Sequence, residues 1–73
     1  MKERYSNRRG NSPVVSYEIE PSRITVWFDG GKRPYSYSYT SAGSRNVEVM
    51  KELARDGAGL SAFITQNVRY NYE

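Results

Sequence analysis

From Val14 to Tyr39 the chain alternates between apolar and polar residues, and the alternation is broken twice by turn residues. Val15, Tyr17 and Ile19 fall on one side of the first run, with Ser16, Glu18 and Glu20 on the other. A period of two is the mark of a half-buried strand. Pro21-Ser22 reads as a turn, because proline presets the backbone and removes a ladder donor. Ile24, Val26 and Phe28 form the apolar face of a second strand, opposite Arg23, Thr25, Trp27 and Asp29. Asp29-Gly30-Gly31 supplies residues suited to a hairpin turn, and Lys32-Arg33-Pro34 lengthens the loop. Tyr35, Tyr37 and Tyr39 then alternate with Ser36, Ser38 and Thr40 as a third strand. The tyrosines are expected to face the core, since that strand would otherwise bury only serine and threonine.

After Ser41-Ala42-Gly43-Ser44 the period changes to that of a helix. Val47, Met50, Leu53 and Ala54 share a stripe, and Glu48, Lys51, Glu52 and Arg55 lie mostly on the other face. Ser44 or Asn46 is the expected N-cap, which would put Glu48 in the first turn. Gly57 is the expected left-handed cap at the end. A second helical stripe, Leu60, Phe63, Ile64 and Val68, follows with Ser61 as its expected cap. The fold class expected is α+β: a three-stranded antiparallel meander followed by two helices packed on one sheet face.

Composition narrows the chemistry. The 73 residues contain no Cys and no His, which excludes disulfides, the usual zinc sites and Ser-His or Cys-His catalytic pairs. No cofactor and no metal is expected. No apolar stretch has the length of a membrane span, and the charged opening residues do not resemble a signal peptide, so the protein is expected to be cytoplasmic. The formal charge of +3 is unevenly placed. Residues 1–12 carry Lys2, Arg4, Arg8 and Arg9 against Glu3, whereas residues 13–73 carry seven Lys/Arg and seven Asp/Glu. Residues 1–12 are therefore read as a flexible basic arm, and residues 13–73 as a single domain.

The order Ile19-Glu20-Pro21, Ile24-x-Val26-x-Phe28-x-x-Gly31, Tyr35-x-Tyr37, Val47-x-x-Met50-x-x-Leu53 and Gly59-x-x-x-Phe63-Ile64-x-x-Asn67-Val68-Arg69-x-x-Tyr72 resembles the KTSC domain family. Domains of that family occur at the C-terminus of some lysyl-tRNA synthetases and as short bacterial and phage proteins. The chain departs from the family pattern in a longer loop between Gly31 and Tyr35. It also has Gly57-Ala58-Gly59 where the family has Ser-x-Gly, and Ile64 after Phe63 where the family has asparagine. The resemblance carries no catalytic residues; it implies a small domain that serves as an RNA- or protein-binding accessory.

The residues bear on three classes of function. Carboxylate pairs for acid-base work exist on paper as Glu18 with Glu20 and Glu52 with Asp56, by shared strand or helix face. Gly30-Gly31-Lys32 lacks the frame of a phosphate-binding loop and reads as a turn. No enzymatic activity is expected. For single-stranded RNA, Trp27 would stack a base, and Arg23, Lys32, Arg33, Arg8 and Arg9 would hold phosphates. The competing reading of Trp27 is that it packs beneath the arm or a chain terminus. The alternative function is a protein-interaction module without a nucleic-acid role, homodimeric through a sheet edge or the Trp27 face.

Overall fold

A computed structural model describes residues 1–31 and 33–73, so Lys32 alone lies outside the described residues. The architecture is α+β, with a four-stranded antiparallel sheet of β1 (Lys2–Arg4), β2 (Val14–Glu20), β3 (Arg23–Phe28) and β4 (Tyr35–Ser38) in sequence order. The helices are α1 (Tyr39–Ala42), α2 (Ser44–Asp56) and α3 (Leu60–Phe63), the last continuing into a π-helical stretch, Ile64–Val68. Ile24, Val26 and Tyr37 on the inner sheet face meet Val47, Met50 and Ala54 of α2 and Leu60, Ile64 and Val68 of the final helix, all nearly inaccessible to solvent. Both helical stripes expected from the spacing thus form the core.

The expected three strands are four, because the first residues are not a free arm. Lys2, Glu3 and Arg4 pair with Glu18, Tyr17 and Ser16. Tyr5, next in the chain, is 3% exposed and belongs to the core. Its amide donates to the Val15 carbonyl, and its hydroxyl accepts from the Leu60 amide at 3.5 Å. The segment then crosses to the end of α2, where the Arg8 amide donates to the Gly57 carbonyl at 2.7 Å. Burial of one large aromatic ring is the reason this segment stays on the body.

Three further departures have local causes. The pairing of β2 with β3 shifts between Val14 and Ser16, a bulge that leaves Val15 as the extra residue. Val14 therefore takes the inward position and Val15 is exposed, contrary to simple alternation. Strand β4 stops at Ser38, so Tyr39 leaves the tyrosine row, enters α1 and is exposed. Ser38 and Ser41 form a reciprocal capping box, each hydroxyl accepting from the other's amide, and this turns the chain out of the sheet. Helix α2 starts at Ser44 behind Gly43 with no side-chain cap, Asn46 donating instead to the Ala42 carbonyl. Glu48 consequently lies beyond the first turn, and Gly59, not Ser61, precedes α3.

Lys51, assigned to the polar face of α2 by its spacing, is 4% exposed. Its ammonium donates to the Pro21 carbonyl and to Glu48, both at 2.9 Å, and lies 5.6 Å from the Tyr39 ring centre. A lysine is tolerated there because its charge is paired and its donors are used.

Candidate nucleic-acid interface

The helices cover one face of the sheet, and the other is made of the polar members of each strand. Register fixes its rows: Lys2 beside Glu18, Thr25 and Ser36; Arg4 beside Ser16 and Trp27; Glu20 beside Arg23 and Ser38. Trp27 is the one aromatic ring among these positions, and it is partly exposed. The Lys2 ammonium stands 4.5 Å from the centre of its ring. The arm thus does lie against Trp27, but as a single cation over the ring and not as an apolar cover. Thr25 and Ser36 share a hydroxyl hydrogen bond of 2.9 Å at the middle of the face.

The cations named from the sequence do not assemble around Trp27. Arg23 is on the same face but binds Glu20 through two hydrogen bonds, Nε at 2.7 Å and a terminal nitrogen at 3.0 Å, with Glu73 at 3.5 Å. Arg8 donates to the Asp56 carbonyl and carboxylate, both at 2.7 Å, at the end of α2. That placement satisfies the end of a helix whose dipole favours a cation. Arg9 lies at the wall of a cavity of about 280 Å³ with Ser12 and Ser61, beside the start of α3. Arg33 is exposed in the loop that follows β3, and Lys32 lies outside the described residues. Two cations that the sequence reading left out, Lys2 and Arg4, occupy the Trp27 face. Neither side chain is ion-paired among the described residues. Their spacing of two, flanking Glu3, was the available signal, but a three-residue charged strand has no apolar face to mark it.

Of the four carboxylates paired on paper, three meet cations, and Glu52 is exposed on α2 with no ion pair among the described residues. Glu18 faces the terminal ammonium at 3.4 Å, Glu20 holds Arg23, and Asp56 holds Arg8. Among the described residues no three metal-ligating side chains gather, and no helix is long and apolar enough to cross a membrane.

Two carboxylates respond to their partners. The Arg23 hydrogen bond holds Glu20 below the ordinary 4.5, and the Tyr39 hydroxyl, then Lys51, holds Glu48 below it too. A lowered folded-state value means that each contributes stability above its unfolded value and loses it as pH falls through the folded one. The melting temperature is therefore expected to stay level from about pH 7 to about pH 5 and to fall at lower pH. Thermal melts of the protein and of an E20Q/E48Q variant check this; the variant should have the flatter acid limb.

In comparisons with known proteins, no family model, no curated protein and no solved structure matches this chain.

Proposed function

We propose that this chain is a non-catalytic binding module of the KTSC type, whose outer sheet face takes single-stranded RNA. One observation carries the reading: Trp27 is partly exposed on the polar sheet face beside Lys2 and Arg4, whose side chains enter no ion pair among the described residues. An aromatic ring beside free cations is the working arrangement of single-strand binders, because every base has a face to stack and every nucleotide a phosphate to hold. The Lys2 ammonium must leave the ring for a base to take its place. An exposed cation–π contact is worth about 0.5–1 kcal/mol, whereas base stacking on an aromatic gives about 1–3 kcal/mol. The exchange is therefore downhill, and it frees Lys2 to meet the phosphate. The ion pairs of Glu18, Glu20 and Asp56 support the non-catalytic part of the reading.

Trp27 is the sole tryptophan, so its fluorescence reports on this face directly. Short single-stranded RNA is expected to quench it saturably. With two phosphate contacts, log affinity should fall with log salt at a slope of about −1.4. W27A should weaken binding by about fivefold or more, measured by anisotropy of labelled RNA, and K2A/R4A should flatten the salt dependence. Quenching that is absent, or an affinity indifferent to salt and to Trp27, sinks the RNA reading and leaves the protein-interaction module as the better account.

A further inference from the structure

Glu18 and Trp27 are diagonal neighbours on the outer sheet face. Register sets Glu18 beside Thr25, and Trp27 follows Thr25 on the same face of β3. Residues in that relation stand about 7–8 Å apart, within reach of long and aromatic side chains. Lys2 demonstrates the reach. It lies across from Glu18 on β1, one strand farther from Trp27, and its ammonium still stands 4.5 Å from the ring centre.

The other carboxylates on this side are differently placed. Glu20 is a row farther from the ring and is taken up by both hydrogen bonds from Arg23. Asp29 is close in sequence, but it is exposed in the turn beyond β3 and has the shorter side chain. Glu18 is partly buried on a strand with a neighbour on each side. Its one ion pair among the described residues is with the Met1 ammonium at 3.4 Å. Met1 is almost fully exposed, and an ion pair of that kind holds its carboxylate weakly.

We propose that Glu18 reads the edge of the base stacked on Trp27 and selects guanine. A stacked base leaves its edges open to the side chains around the ring. An ionised carboxylate accepts hydrogen bonds and cannot donate them. Guanine presents two donors side by side on its Watson–Crick edge, the ring N–H and the exocyclic amine, and these match the two carboxylate oxygens. Adenine and cytosine present one amine beside a bare ring nitrogen. Uracil presents one N–H between two carbonyl oxygens, which a carboxylate repels. The inference rests on the RNA reading and adds to it the identity of the base.

The test is fluorescence anisotropy of labelled RNA heptamers at low salt, with uridines on either side of a central G, A, C or U. The G heptamer is expected to bind about fivefold or more tighter than the all-uridine one, the least that a good bidentate contact to a base discriminates. Inosine at the centre keeps the ring N–H and lacks the amine, and its heptamer should fall between the two. E18Q should bring the G and U heptamers within about twofold of each other, because an amide sets a donor beside its acceptor. The all-uridine affinity should hold or rise in that variant, since a negative charge is gone. D29N also removes a negative charge near Trp27 and should keep the preference for G. If the heptamers bind equally with an affinity that needs Trp27, or if E18Q keeps their order, this inference is overturned and the RNA reading stands. If no heptamer binds, both fall.

Discussion

Replacing Tyr5 by alanine is expected to destabilise the protein by about 3–5 kcal/mol, the range for truncating a buried aromatic side chain. The ring is 3% exposed within the same core as Val14, Leu60 and Val68, so its loss leaves a cavity lined by residues from both layers. A domain of 73 residues has only about 4–11 kcal/mol to lose, at about 0.05–0.15 kcal/mol per residue. The variant should thus melt more than about 12 °C lower, or fail to fold. Y5F separates packing from polarity: it keeps the ring and gives up only a long contact of 3.5 Å to the Leu60 amide, so it should cost less than about 1 kcal/mol. Urea denaturation of the two variants reads both values. A loss below about 1 kcal/mol for Y5A would mean that the first residues are the dispensable arm the sequence suggests.

The second large effect is expected at Gly57. Its φ of +83° lies in the left-handed region, where a side chain costs about 1–2 kcal/mol. A methyl group there would also stand 2.7 Å from the Ser6 Cβ, on a segment held by the Arg8 amide bond to the Gly57 carbonyl. The segment cannot move away without giving up that bond, and overpacking of this kind adds about 1–3 kcal/mol. G57A should therefore cost about 2–5 kcal/mol in chemical denaturation. Gly30 is the control: it has a similar φ of +74° but open space around its Cβ direction. G30A should show the backbone cost alone, near 1 kcal/mol. If G57A is also made in an S6G background, the difference between the two costs measures the contact with Ser6.

The left-handed cap at Gly57 was legible in the sequence and is found there, but Tyr5 and the Ser6 contact belong to the part of the molecule that was least legible. A strand is recognised when one face is buried and the other wet, and Lys2, Glu3 and Arg4 are exposed on both. Only Tyr5 carries the burial, and one residue has no period. The meander of β2, β3 and β4 was legible because Ile24, Val26, Tyr35 and Tyr37 keep strict alternation against the helices. It misplaced Val15, since a one-residue bulge inverts the faces without any local signal. It ran two residues too far, through Tyr39 and Thr40, because Ser38 and Ser41 read equally well as strand residues and as a helix cap. Of the candidate site, Trp27 was legible by its place opposite Val26 and Phe28. The basic residues were not, because a sequence shows charges and not their partners: Arg8 meets Asp56 across 48 positions, and Arg23 is claimed by its near neighbour Glu20. Lys51 was misread for the same reason, its amine being drawn inward by a backbone oxygen of the β2–β3 turn.

The sheet ends on one side in β1, and that short strand bears on how the protein behaves in crowded solution. Sheets grow by accepting another strand along an open edge, and the commonest stranger is an identical molecule. A second copy laid antiparallel against this edge, with Glu3 on the twofold axis, would set Lys2 opposite Arg4 and Glu3 opposite Glu3 at every step. Directly opposed like charges are repulsive on a sheet. On the far side, the Glu73 amide already donates to the Ser36 carbonyl at 2.7 Å, so part of the β4 margin is spoken for. The same three residues that complete the sheet therefore discourage its extension, which favours a protein that stays dispersed over one that stacks into ribbons.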